Sequence, residues 1–171
     1  MNDGVAAMRP IPDRPARGQE SAWDFPRPAI AEPTSLPLQV KFGGALIAET
    51  IRGVRTLETS HPPTYYFPLD AVKVGVLAQS GHGSFCEWKG EATYFDVAFG
   101  TKRVENAAWT YLTPTPAFEI LQSHIAFYAS VMDACFVDGE CVQPQPGGFY
   151  GGWITSHFAG PFKGEPGSFG W

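Results

Sequence analysis

Proline and glycine punctuate this chain throughout, with 16 prolines and 19 glycines spread over 171 positions. Each proline fixes φ and removes a backbone donor, and each glycine loosens the chain, so little room is left for long helices. Short strands joined by many turns fit that spacing better. Hydrophobic residues make up 44% and aromatic residues 14% of the chain, enough for a core that needs no disulfide or metal staple. The sequence therefore predicts a mainly β fold: a small antiparallel β-sheet domain over residues 21–142 with one short helix. A disordered leader over residues 1–20 is expected before it, and an irregular C-terminal extension over residues 143–171 after it.

The local pattern supplies the elements. Leu38–Phe42 alternates as a strand does, Gly43-Gly44 turns, and Ala45–Thr50 returns. Residues 53–59 read as a third strand, broken at His61-Pro62-Pro63 because proline donates nothing to a ladder. The segment 23–37 holds four prolines and is expected to run extended, with Trp23 and Phe25 as anchors. Tyr65-Tyr66-Phe67 forms a short aromatic segment, residues 72–77 a further strand, and Gly81-His82-Gly83-Ser84 a loop. In residues 92–99 the set Thr93, Phe95, Val97 and Phe99 is expected to face the core, and residues 104–112 return. The helix is predicted over residues 116–124, where Phe118, Leu121 and Ile125 recur at helical spacing and Thr115 is the N-cap. Asp138-Gly139 signals a type I′ hairpin that sets Phe136 opposite Cys141. Cys135 then points to the other face, so Cys86, Cys135 and Cys141 are expected as free thiols in a reducing compartment.

Charge narrows the function. The net charge is -5 and the pI about 5.3, with no basic cluster after the first 30 residues, so no nucleic-acid partner is expected. No run approaches the roughly 18 apolar residues of a membrane span, and residues 1–20 lack the apolar stretch of a secretory signal. The expectation is a cytoplasmic protein with no membrane partner. The extension holds eight glycines and four prolines but also seven aromatic residues. A mere linker needs no rings, so the extension is expected to pack on the domain or on a second copy in a homodimer.

Only 17% of residues are charged, which makes an acid, an imidazole and an ammonium at aromatic or proline-fixed turns notable. Glu58 and His61 flank the corner made by Pro62-Pro63, and Lys89 sits between Trp88 and Gly90. Cys86, three residues before Lys89, is a candidate nucleophile because a nearby cation favours thiolate. Glu58, His61, Lys89 and Cys86 are the catalytic candidates. Tyr65, Tyr66, Trp88, Trp109 and Tyr128 are the ligand-binding candidates, and plain core packing is the alternative for each ring. No set of four Cys or His ligands assembles from His61, His82 and Cys86, so no metal and no cofactor is expected.

Several motifs together carry a family resemblance. They are residues 58–68 (ETSHPPTYYFP), 86–94 (CEWKGEATY), 106–111 (NAAWTY), 125–128 (IAFY) and 136–140 (FVDGE). In this order they resemble the family catalogued as domain of unknown function 427, over residues from about Trp23 to Val142. The tail around Gly151-Gly152-Trp153 and Gly160-Pro161-Phe162-Lys163 is similar to longer members. Glu87 departs from the pattern, which more often has proline there. The resemblance implies a small β fold similar to the β-tent or Mss4-like folds, and no settled activity. The family has carried a nucleotidyltransferase label. That chemistry needs metal-binding paired carboxylates, whereas after Gly83-Ser84 the chain offers Asp96, Asp133 and Asp138 singly, as it offers Asp70 before it. The leading expectation is a small-molecule-binding or catalytic pocket for a modest anionic or amide-bearing ligand. The alternatives are a non-enzymatic interaction module working through the aromatic extension and, behind it, nucleotidyl transfer.

Overall fold

The computed structural model describes residues 9–171. A seven-stranded antiparallel sheet dominates it. This sheet contains β2 (Ile30–Thr34), β5 (Gly53–Leu57), β6 (Thr64–Pro68), β7 (Leu77–Cys86), β8 (Gly90–Phe99), β9 (Lys102–Thr110) and β10 (His124–Phe127). Their spatial order is β2-β5-β6-β10-β9-β8-β7. A second antiparallel sheet, in the order β12-β11-β3-β4, holds β3 (Leu38–Phe42), β4 (Ala45–Thr50), β11 (Ala134–Val137) and β12 (Glu140–Cys141). The fold is mainly β, as the turn density predicts.

The main core lies between these two sheets. Leu38, Val40, Phe42, Ile47 and Cys135 from the smaller sheet meet Tyr65, Phe67, Val97, Ile125 and Phe127 from the larger. Because strand side chains alternate, the residues between these face the other way. Val54, Tyr66, Tyr94, Trp109 and Ala126 form a second apolar cluster on the outer face of the larger sheet. The sheet is thus buried on both faces. That corrects the reading of β8, in which one residue set was expected inside. Val97 is buried between the sheets as expected, but Tyr94 and Asp96 are buried too. A register shift between Phe95 and Val97 further breaks the simple alternation.

Several elements differ from expectation for local reasons. Of residues 72–77, Val72 only bridges Ala48, and strand β7 starts at Leu77. Gly75 at φ 85 turns the chain and leaves Val74 fully solvated. Gly81-His82-Gly83-Ser84 is not a free loop but part of β7, where the pairing jumps from Gln79–Phe95 to Gly83–Thr93. An edge strand tolerates such a bulge because one side has no partner to lose. The predicted helix is a 3-10 turn, Pro116–Leu121, bent at Phe118, and Ile125 lies in β10 instead. Thr115 takes the N-cap position as expected, but its side chain makes no capping bond, because its hydroxyl donates to the Trp88 carbonyl at 2.5 Å.

The Asp138-Gly139 hairpin forms as predicted. Both residues have positive φ, and Phe136 pairs with Cys141. All three cysteines are free. Of the expected leader, residues 1–8 lie outside the described residues. From Arg9 onward the chain lies against the extension: the Asp13 N–H donates to Gly160 O at 2.8 Å and Gln19 Nε2 to Ser156 O at 2.7 Å. The strand β1 (Glu20–Ser21) pairs in parallel with β15 (Phe158–Ala159), and β13 (Gln143–Pro144) pairs with β14 (Trp153–Ile154). Trp153 from the extension is fully buried in the main core, and its indole N–H donates to the Phe127 carbonyl at 3.2 Å. Among the described residues no helix is long and apolar enough to cross a membrane.

Candidate functional site

The outer face of the larger sheet is covered incompletely, and what remains open is a cleft of about 280 Å³. Its floor is the aromatic outer cluster: Tyr66 on β6, Tyr94 on β8 and Trp109 on β9, with Tyr111 just beyond β9. Trp109 and Tyr128 lie ring against ring at 4.5 Å. Burial pushes the hydroxyl pKa values of Tyr66, Tyr111 and Tyr128 above the ordinary phenol value. These phenols therefore stay neutral and serve as hydrogen-bonding groups.

One end of the cleft is the turn after β5. The His61 N–H donates to the Glu58 carbonyl at 3.0 Å, closing a four-residue turn. Ser60 takes its third position with φ 72, a conformation more usual for glycine. Bonds from outside hold the turn, among them Ser60 N–H to Ala22 O at 2.9 Å, Thr59 Oγ1 to Phe25 O at 2.5 Å and Lys163 N–H to Ser60 O at 2.9 Å. The turn brings both side chains to one side, with His61 Nε2 3.1 Å from Glu58 Oε2. Buried Pro62 and Pro63 then fix the exit.

Gln145 completes this end. Its Oε1 accepts from the Gly152 N–H at 3.1 Å, while its Nε2 donates to the Lys163 carbonyl at 2.7 Å. Those two bonds orient the amide, so Nε2 also presents a donor to His61 Nδ1 at 2.9 Å. Nδ1 is therefore the acceptor and Nε2 carries the proton toward Glu58. Both imidazole nitrogens are spent, which makes His61 a positioning group for Glu58. Burial tends to raise the Glu58 pKa. The hydrogen bond from His61, helped by the charges of Lys89 and Arg27, outweighs it and holds the carboxyl below its usual range.

The other end is the tip of the β7–β8 hairpin. Cys86 pairs with Gly90, leaving Glu87, Trp88 and Lys89 as the loop. Gly90 has φ 105, which a side chain would strain. Thr115 pins the tip twice, through its hydroxyl to Trp88 O and its N–H to Lys89 O at 3.0 Å. Lys89 Nζ lies 3.7 Å from Cys86 Sγ and 5.7 Å from the Phe118 ring. The extension forms the remaining wall. Tyr150 meets the His61 ring edge-on at 5.0 Å, and Phe149 O accepts from the Tyr128 hydroxyl at 3.2 Å. Gly151 crosses so close to Trp109 that a Cβ there would collide with the ring.

Glu58, His61, Lys89, Cys86, Tyr66, Trp88, Trp109 and Tyr128 all line this one cleft. Tyr65 does not. Strand alternation turns it into the main core against Trp153 at 5.5 Å, and burial pushes its pKa up to about 12. Sequence reasoning missed Tyr94, Tyr111, Gln145, Tyr150 and Lys163. Nothing in a proline- and glycine-rich stretch singles out Gln145. The aspartates stand apart from the cleft: Asp70 pairs with Arg52, Asp96 with Arg103, Asp133 with Lys102, and Asp138 sits in the hairpin turn. Among the described residues no three His, Cys, Asp or Glu side chains cluster as a metal would need.

Fold and site together define a two-sheet β protein with an aromatic cleft on the outer face of its larger sheet, carrying a carboxylate–imidazole pair and, apart from it, the Lys89 ammonium. The chain belongs to the family described as a domain of unknown function (DUF427), whose model matches residues 30–138. No curated protein matches it. The matched span carries Glu58, His61, Cys86 and Lys89, whereas Gln145, Tyr150 and Lys163 lie beyond it.

Proposed function

We propose that the protein is a cytoplasmic small-molecule-binding protein, and that the cleft is where its ligand is held or transformed. The observation that carries this reading is the convergence of Glu58, His61 and Lys89 on one concavity walled by Tyr66 and Trp109. Two charged groups at opposite turns, each pinned by bonds from another segment, suit orientation of a ligand better than solubility. A cleft of about 280 Å³, lined by aromatic rings and polar groups in similar measure, is of the size that takes small ligands. In a chemical step Glu58 would accept a proton, and Lys89 would stabilise negative charge on the substrate or on Cys86. The extension spends Trp153 and Phe158 on its own chain, which favours the pocket over a docking module.

The test is a crystal soaked in a metabolite extract and inspected for density beside Lys89, with thermal shift alongside. Ligand should raise Tm of the wild type. Lys89→Met should lose that rise while its own ligand-free Tm stays within about 2 °C, as expected for a side chain with no buried ion pair. An equal ligand response in both proteins would sink the assignment.

A further inference from the structure

Glu58 presents one ionised oxygen that the protein leaves unused. His61 bonds Oε2, and among the described residues Oε1 has no hydrogen-bond donor. Gln145 occupies Nδ1 of His61, so only Nε2 faces Glu58, and the carboxylate is held ionised with its second oxygen free. Lys89 is the mirror case. It forms no ion pair with any carboxylate among the described residues, and its polar contact is the Cys86 sulfur at 3.7 Å. The two charges belong to one cleft yet do not pair, because each sits on a turn held elsewhere: Glu58 by the Ala22 and Phe25 carbonyls, Lys89 by Thr115. The other charges on the lining lie outside this arrangement. The Lys163 ammonium donates to the Trp171 carbonyl at 3.2 Å, and Glu87 is exposed.

We propose that the cleft takes a zwitterion of the amino-acid class, its ammonium against Glu58 Oε1, its carboxylate against Lys89 Nζ, and its side chain against Trp109 and Tyr66. The assignment rests on the pocket reading above and goes beyond it by fixing the ligand's charge pattern. A charge in a low-dielectric cleft is costly unless paired. Lys89 and Glu58 feel each other across the cleft, since the Lys89 charge helps keep Glu58 ionised. A lone anion at Lys89 would face the bare charge of Glu58, and a lone cation at Glu58 would face that of Lys89. A molecule with both charges satisfies both groups at once and leaves the site neutral. The small volume suits one amino acid, and the ring walls suit an aromatic or large apolar side chain.

Isothermal titration with three probes tests this on the full chain: L-phenylalanine, its methyl ester (no carboxylate) and 3-phenylpropionate (no ammonium). L-Phenylalanine should bind at least about tenfold more tightly than either analogue, the usual loss when one charged hydrogen bond goes. Glu58→Gln, which keeps the His61 contact, should weaken L-phenylalanine and the ester but not 3-phenylpropionate. Lys89→Met should weaken L-phenylalanine and 3-phenylpropionate but not the ester. Equal or tighter binding of either single-charge analogue overturns the proposal, as does failure of all twenty standard amino acids to bind. A metabolite extract separates the two levels of failure. If it still protects the wild type but not Lys89→Met, the pocket stands and only the zwitterion falls. If it protects neither, both fall.

Discussion

At the scale of single residues, Ser60 stands out. It is fully buried, sits at φ 72, and its hydroxyl has no hydrogen-bond partner among the described residues. A left-handed conformation costs an L-residue about 1–2 kcal/mol, and an unsatisfied buried hydroxyl adds to that. Glycine at this position would remove both penalties while adding some unfolded-state entropy. Ser60→Gly is therefore expected to stabilise the protein by about 1 kcal/mol in urea unfolding. A loss of stability would show that the hydroxyl has a partner after all. The cysteines make a second residue-scale case. Cys141 is exposed, Cys86 half-buried and Cys135 buried, with burial raising the Cys135 pKa. A thiol reagent should label Cys141 first and Cys135 only on unfolding, and denatured, non-reduced protein should titrate three thiols. A count of one would contradict the register that sets Phe136 opposite Cys141.

Among the elements, the C-terminal extension does most to set the site apart from the matched family span. It reaches the main core through Trp153, with its indole between Tyr65 and Phe67 at centroid distances of 5.5 and 6.1 Å. It also reaches the cleft through Gln145 and Tyr150. Trp153→Ala should cost about 3–5 kcal/mol, the range for emptying a buried tryptophan site. Phe169→Ala, at a ring 89% exposed, should stay within about 0.5 kcal/mol. Chemical denaturation of the two variants side by side checks the contrast. Similar small losses would mean that the extension merely lies on the fold. The extension's aromatic content was readable in the sequence. Which ring is structural and which lines the cleft was not, because irregular backbone has no periodicity to read.

The molecule as a whole carries its carboxylates in a consistent way. Backbone donation from Asn106 lowers the Asp96 pKa, the Lys102 bond lowers that of Asp133, and Ser156 lowers that of Glu140. Glu58 is lowered as well, against the opposing effect of burial. A carboxyl whose folded pKa is depressed adds stability above its unfolded value, near about 4, and loses it as pH falls through the folded value. Tm should therefore hold from neutral pH to about pH 5 and decline below about pH 4. Melting curves across that range decide the point, and a Tm that climbs on acidification would contradict it.

The sequence by itself determined the β class, the turns and most of the strands, because these follow from local chemistry. Proline cannot join a ladder, Asp138-Gly139 suits positive φ, and Leu38–Phe42 alternates. It also pointed to Glu58, His61, Cys86 and Lys89, since charge is scarce and these residues sit at rigid or aromatic turns. Tertiary structure decided which way the rings face. Tyr65 and Tyr66 are adjacent and equally buried, yet one belongs to the core and the other to the cleft. Alternation says only that they point oppositely, and the second sheet's position selects the side. The same holds for Tyr94, hidden by a sheet buried on both faces, and for Gln145. The amide of Gln145 meets His61 across 84 residues of chain, a contact that no local pattern encodes because chain folding alone brings the two together.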